Sequence, residues 1–197
     1  MGETRLWYSF FLSVIGWVVY ARYNYKWILS FSTLMSVVFV CINLFKPEIH
    51  SKTLMPALQS VWFVPHVAIY MFSYALLGCA TLLSTVVLMR NTHDMDKAIE
   101  KLLYAGLAFL TVGMLTGALW AKDAWGAYWS WDAKESWAVA TWGLYLIAIH
   151  LAPSVMNTSR KRFYHIIILL GFMALQMCWY GINYLPSAET SVHTYNQ

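Results

Sequence analysis

Long apolar segments alternate with short polar ones along the chain, and this pattern predicts helices that cross a membrane. The apolar runs repeatedly exceed 18 residues, the length that a helix needs to cross a hydrocarbon core of about 30 Å. Every backbone polar group must be satisfied inside a bilayer, so we interpret these segments as α-helices. The sequence thus predicts an all-α integral membrane protein, a bundle of about six transmembrane helices. The predicted helices cover approximately residues 6–21, 27–45, 63–89, 98–119, 136–152 and 163–184.

The positions of lysine and arginine predict how this bundle is oriented. With an external N-terminus, eight of these residues fall on the inner side and five on the outer side, and the basic cluster 160–162 is the clearest single indication. This orientation brings three segments to the outer face: the 46–62 loop, the segment 120–135 and the tail from residue 185. We also expect two parts along the chain. They are 1–53, with the first helix pair, and 54–197, with the other helices and the outer segment.

Composition excludes several classes of protein. The chain is 60% hydrophobic and only 11% charged, against about 25% charged residues in soluble domains. Its net charge of +4 follows from the topology, and no basic stripe suggests nucleic acid as a partner. The three cysteines lie inside apolar segments without a CxxC pair, which argues against disulfides and zinc sites and favours buried thiols. The first apolar segment lacks a small-residue cleavage site, so we expect a retained helix.

Six of the eleven tryptophans lie between residues 120 and 142, in the segment WAKDAWGAYWSWDAKESWAVATW. Such a segment offers flat apolar faces, indole N–H donors and a few charges, which suits a planar amphiphilic ligand with acidic groups, such as haem. Four of the tryptophans crowd too closely for an interfacial belt alone, and we expect them to contact the ligand: Trp120, Trp125, Trp129 and Trp131. Asp132 and Glu135 have the spacing of a capping box that opens the next helix, and Asp132 is also a candidate for contact with the ligand.

Histidine is a common iron ligand, and a six-coordinate haem needs two axial ligands, one on each side of the ring. On the predicted topology His66 and His193 both share the outer face with the Trp-rich segment, so they are the candidate ligands. His50 is an external rival, but it sits in a polar loop where nothing fixes its direction. His93 lies in a charged inner loop, where we expect it to be solvated.

His150 requires a separate interpretation. It lies 18 residues after Asp132, or about 27 Å along a helix, which is too far to bind the same iron as His66. An ionisable residue in a membrane helix is a functional candidate by default, although a place at the inner headgroup boundary would also explain it. If His150 binds iron, a second haem position is implied, with either His165 or a histidine of another subunit as its partner.

Residues 125–150, WGAYWSWDAKESWAVATWGLYLIAIH, resemble the WWD signature of the haem-handling cytochrome c biogenesis proteins. The similarity is strongest to the CcsA/ResC branch, and residues 54–77 and the C-terminal stretch INYLPSAETSVHTY fit that branch as well. The resemblance implies that His66 and His193 ligate haem b at the outer surface. It also implies that His150 lies on the haem entry path opposite a histidine of a CcsB/ResB-type partner. Ala133 stands where many relatives have proline, and the chain is short for this branch.

The resemblance further implies a subunit of a cytochrome c synthase in a bacterial inner membrane, with the WWD segment on the periplasmic side. Its partners would be haem, apocytochrome c, the CcsB/ResB-type subunit and membrane lipid. No residue resembles a nucleophile or a tuned general base, so we expect catalysis by positioning. Two alternatives remain open: a haem exporter or carrier that attaches nothing, and an electron-transfer cytochrome with haem between His150 and His165.

Overall fold

The computed structural model describes residues 2–45, 59–92, 94–151 and 158–184. Within these ranges the chain is helical and contains no strand, which confirms the predicted all-α class. A short 3₁₀ turn, Gly181–Tyr184, follows the last helix. The helices are α1 (Gly2–Tyr23), α2 (Lys26–Phe45), α3 (Phe63–Arg90), α4 (Asp96–Trp125), α5 (Ala133–His150) and α6 (Thr158–Trp179).

Four of the six helices, α2, α3, α4 and α6, are long and apolar enough to cross a membrane. The other two were also predicted to span, and they belong to the same bundle, but they are less apolar over the length that a membrane span needs. Arg5 and Arg22 lie in α1, and α5 opens with Lys134 and Glu135. Length and composition thus support a membrane protein, with α2, α3, α4 and α6 as its clearest membrane-spanning helices.

Contacts between helix ends show that the helices alternate in direction. At one end, which we call the Trp-rich end, His66 at the start of α3 contacts Gly113 in the second half of α4. At the same end, the Cys178 thiol near the end of α6 lies 3.5 Å from the Lys134 carbonyl at the start of α5. The opposite end joins the starts of α4 and α6. This alternation is the one on which the predicted orientation rests.

A single hydrophobic core runs through the bundle, with α3 as its most buried helix. The first helix pair contributes to it, since Tyr8 of α1 packs edge-on against Trp179 of α6 with ring centroids 5.1 Å apart. Helix α2 packs on α1, where the Ser36 hydroxyl donates to the Ser9 carbonyl at 2.8 Å. The predicted division at residue 53 lies outside the described residues and stays a prediction.

Helix α4 continues beyond its predicted end near residue 119 as far as Trp125. Gly126 ends it with a left-handed φ of 81°, a conformation that glycine adopts without steric cost. The Gly126 N–H donates to the Lys122 carbonyl at 3.0 Å, and the Lys122 ammonium donates to the Gly126 carbonyl at 2.8 Å. Trp120 and Trp125 are therefore helical, and only residues 126–132 connect α4 to α5.

Helix α6 ends at Trp179, several residues before Pro186, where the sequence predicted its end. The Asn183 side-chain amide donates to the Trp179 carbonyl at 3.4 Å. A carbonyl of the last helical turn thus finds a partner locally, which allows the helix to stop before the proline.

Candidate functional site

The 126–132 connection is held against α5 by the capping box that the sequence predicted. The Asp132 carboxylate accepts from the Glu135 N–H at 2.8 Å, and the Glu135 carboxylate accepts from the Asp132 N–H at 3.3 Å. Glu135 also accepts from the Ser130 N–H at 2.7 Å and from its hydroxyl at 3.2 Å. Two acidic side chains therefore determine both the start of α5 and the path of the residues before it. A ligand contact of Asp132 stays a prediction.

Trp131 lies at the centre of this connection with an unusual backbone. Its φ is +57°, a left-handed conformation that is costly for a residue with a large side chain. The indole is 69% exposed, and its ring meets that of Trp129 edge-on at 5.7 Å. A strained backbone that presents a large apolar side chain to the outside is typical of a binding site.

His66 is held at the Trp-rich end by helix α4. Its Nδ1 lies 2.9 Å from the Gly113 carbonyl oxygen. Its ring stacks on Trp120 at 5.5 Å with an interplanar angle of 21°, and it tilts against Tyr70 at 4.7 Å. A carbonyl can only accept, so Nδ1 carries the proton and the lone pair of the neutral ring is on Nε2. Hydrogen bonding of one ring nitrogen to a backbone carbonyl is the usual arrangement for a metal-binding histidine.

Trp120 and Trp125 form the inner wall behind His66. Trp120 is only 4% exposed and packs against Phe63 at 5.4 Å and against Trp125 at 4.7 Å. In this arrangement Trp120 supports the His66 ring, while Trp125 is half-buried. That these tryptophans touch a ligand remains a prediction.

Trp129 carries a buried polar atom that indicates a ligand nearby. Its indole Nε1 is buried, and it finds no hydrogen-bond acceptor among the described residues. A buried N–H without a partner costs about 1–3 kcal/mol, so such groups usually serve a purpose. Haem carries two carboxylates that can accept this hydrogen bond. The Trp129 donor, the exposed Trp131 face and the orientation of His66 all fit haem as a ligand.

Trp129→Phe provides a direct test of that interpretation. We expect haem-free Trp129→Phe protein to unfold within about 1 kcal/mol of wild type, because the change removes an unsatisfied donor, and we expect it to bind haem more weakly. Thermal unfolding in detergent and a haem titration measure the two effects. Trp142→Phe is the matched control, since the Trp142 Nε1 donates to the Thr111 hydroxyl at 3.0 Å. It should destabilise the protein by about 0.5–1.5 kcal/mol and leave haem affinity intact. Equal haem affinity in Trp129→Phe would contradict the assigned role.

The other predicted histidines lie elsewhere. His150 ends α5 with an exposed ring, and its Nδ1 lies 2.7 Å from the Leu146 carbonyl. His165 is fully buried, with Nδ1 3.2 Å from the Ser84 hydroxyl and Nε2 3.3 Å from Asp96. Because both of its nitrogens face other groups, His165 is poorly placed to pair with His150, and the ligand role of His150 stays a prediction. The described residues do not include His50, His93 or His193.

Sequence reasoning missed Gly113 and Gly117, the residues of α4 that face His66. A Cβ atom at Gly117 would lie 2.6 Å from Cε1 of His66, closer than real Cβ contacts allow. The available signal was the GxxxG spacing of GMLTG, residues 113–117, which lets helix backbones approach closely in membranes.

The chain is similar to known proteins of one family. A family model described as cytochrome C assembly protein matches residues 3–188. The chain is 34% identical over 177 residues to the "Cytochrome c biogenesis protein CcsA" of Chlamydomonas reinhardtii, covering 83% of this chain and 50% of the relative. It is 30% identical over 223 residues to the protein of that name from Cuscuta reflexa, with 93% and 72% covered. For the Panax ginseng protein the values are 31% over 236 residues, 93% and 73%.

The family match extends over nearly the whole chain and includes all six helices and the connection with Trp129 and Trp131. The chain spans half the length of the Chlamydomonas relative. The resemblance to the CcsA branch, first suggested by the WWD segment, is thereby confirmed. This chain belongs to the cytochrome c assembly protein family.

Proposed function

We propose that this chain is the haem-presenting membrane subunit of a cytochrome c synthase. The observation that carries the proposal is the geometry of His66. Its Nδ1 proton is donated to the Gly113 carbonyl, its ring stacks on Trp120, and it lies at the Trp-rich end of the bundle. A neutral imidazole that is oriented in this way offers Nε2 to an iron atom.

In this proposal haem b lies at the Trp-rich end as the substrate. His66 and His193 are its axial ligands, and the Trp129 N–H donates to an acidic group of the porphyrin. Trp125 and Trp131 cover its apolar faces. His150, exposed at the opposite end of α5, would hold haem on its entry path together with a histidine of a CcsB/ResB-type partner.

The reaction is the addition of two thiols to two alkenes. Apocytochrome c brings a CxxCH segment, whose histidine replaces one axial ligand of the iron. Each cysteine sulfur then bonds to one carbon of a haem vinyl group while the thiol proton goes to the other carbon, so no electrons are gained or lost. The contribution of this chain is to position the two reactants, which lowers the barrier by removing the entropy of their encounter.

The same proposal assigns the Trp-rich end to the outer, periplasmic face of a bacterial inner membrane. The excess of lysine and arginine at the opposite end supports this orientation. At that end, Lys161 lies 3.5 Å from Asp96. The relatives compared above come from an alga and two plants, so they do not bear on the assignment of this chain to a bacterial membrane.

His66→Ala tests the function directly. We expect the variant, purified with a CcsB/ResB-type partner, to retain much less haem than wild type, because one axial bond and the ring that bears it are lost. We expect it to support little covalent haem attachment to apocytochrome c. Absorption spectra report bound haem, and haem staining after denaturing electrophoresis reports thioether bonds.

His93→Ala, in the predicted inner loop, is the matched control and should behave like wild type. Normal haem content and normal attachment in His66→Ala would overturn the assignment. Haem binding by the wild-type complex without any attachment would instead indicate a haem carrier.

A further inference from the structure

We propose that helix α4 positions His66 as an iron ligand through the Gly113 carbonyl and through the missing side chain at Gly117, and that Thr116 tunes the bond. This inference rests on the proposed function, since it assumes that His66 ligates haem. It assigns roles to three residues that bind no ligand themselves. They are positioning residues, and each acts through the imidazole.

The Gly113 carbonyl selects the tautomer of His66. Its oxygen lies 2.9 Å from Nδ1, and a carbonyl oxygen accepts only from a protonated nitrogen. With the proton on Nδ1, the lone pair is on Nε2. In the other tautomer, the lone pair of Nδ1 would face a lone pair of the Gly113 oxygen across 2.9 Å, and the two would repel each other. The helix backbone therefore prepares the ring for iron before haem arrives.

Gly117 provides the space in which the ring lies. A Cβ atom at this position would lie 2.6 Å from Cε1 and 2.7 Å from Nδ1 of His66. Only a residue without a side chain allows the imidazole to lie flat on α4, with its Nδ1 in reach of the carbonyl one turn earlier. Gly113 serves the same close approach, because a Cβ there would lie 2.3 Å from the Tyr70 ring.

Thr116 competes for the carbonyl that His66 uses. Its hydroxyl donates to the Gly113 oxygen at 3.0 Å, and the Val112 oxygen lies at 3.1 Å from the same hydroxyl. A carbonyl that already accepts one hydrogen bond is a weaker acceptor for the second. Removing the Thr116 donor should strengthen the bond from His66, make the imidazole more electron-rich and stabilise ferric haem.

Gly117→Ala tests the positioning role, with Gly106→Ala as its matched control. Both changes place a methyl group at the α3–α4 contact at the same nominal distance of 2.6 Å from the nearest side-chain atom, His66 for Gly117 and Leu77 for Gly106. The two sites lie about 16 Å apart along the helix. We expect Gly117→Ala to weaken haem binding about 10- to 100-fold, as loss of an outer-shell partner typically does, and Gly106→Ala to leave it near wild type.

Thr116→Val provides a second measurement in case Gly117→Ala fails to fold. This variant keeps the shape of threonine but lacks the hydroxyl. We expect the midpoint potential of bound haem to become more negative in Thr116→Val and to return to the wild-type value in Thr116→Ser. Packing alone predicts no such reversal, because serine is smaller than valine and restores only the donor.

Nitrogen NMR of haem-free protein labelled in histidine completes the test. We expect His66 to show a protonated Nδ1 and an unprotonated Nε2 in wild type and in Gly106→Ala, and a loss of that preference in Gly117→Ala. A His66 with the proton on Nε2, or Gly117→Ala protein with wild-type haem affinity and potential, would overturn the inference. If His66→Ala itself retains normal haem, the proposed function fails instead, so the two failures are distinguishable.

Discussion

Replacing Glu135 with alanine should release the connection between α4 and α5 and remove most bound haem. Glu135 is 8% exposed, and one of its carboxylate oxygens accepts from the Ser130 N–H, the Ser130 hydroxyl and the Asp132 N–H. Because these donors are only partly buried, each lost hydrogen bond should cost about 1 kcal/mol. The same bonds hold Trp131 in its left-handed conformation, so we expect the backbone of residues 126–132 to relax and Trp129 and Trp131 to lose their mutual arrangement.

Amide hydrogen exchange of residues 126–136 and a haem titration measure this effect. We expect faster exchange in that segment only, together with weaker haem binding. Glu135→Gln is the matched control, because glutamine also closes a capping box, and it should lose about 1 kcal/mol or less. Ser136→Ala, next in sequence, removes only a 3.4 Å contact to the Trp131 carbonyl and should be neutral. Wild-type exchange in Glu135→Ala would show that the box does not hold the connection.

Replacing Asp96 with alanine should destabilise the whole bundle without changing the haem site. Asp96 begins α4 and is 8% exposed, and it faces His165 at 3.3 Å and Lys161 at 3.5 Å, both on α6. Removing one partner of a buried polar contact costs about 1–3 kcal/mol, because the other is left in a poorly solvating environment. Thermal unfolding in detergent should show this loss, while the haem spectrum of the folded variant stays unchanged.

The contrast between the two residues that face Asp96 sharpens this prediction. Lys161 is 24% exposed at its side chain, so Lys161→Ala should cost less than about 1 kcal/mol. His165→Ala should cost nearly as much as Asp96→Ala, and the double variant should cost much less than the sum of both. A changed haem spectrum in Asp96→Ala would instead support the electron-transfer cytochrome, in which His165 is an iron ligand.

Local rules in the sequence predicted the helices and the capping box. A bilayer leaves few alternatives to the helix, so long apolar segments determine the architecture on their own. The box could be predicted because Asp132 and Glu135 are only three residues apart in the chain, and the structure shows the expected hydrogen bonds between them. In the same way, the aromatic density around Trp129 and Trp131 was sufficient to predict at which end of the bundle the candidate site lies.

Contacts between distant segments could not be predicted. The sequence predicted that α4 ends near residue 119, whereas the helix continues until Gly126 provides a cap. His66 and Gly113 lie 47 positions apart in the sequence, and Asp96 and His165 lie 69 positions apart, so no local pattern indicates either pair. Both pairs depend on how close two helices lie and how they are rotated. One sequence does not specify such details.

The extension of α4 to Trp125 divides the tryptophans into two mechanical classes. Trp120 and Trp125 are fixed to a helix that is packed along its length, whereas Trp129 and Trp131 belong to a connection secured mainly through one carboxylate. The proposed function requires that haem be held firmly and then released, and these two requirements conflict in a uniformly rigid site. Here the two demands fall on different walls, so loss of the Glu135 side chain would loosen one wall and leave the other in place.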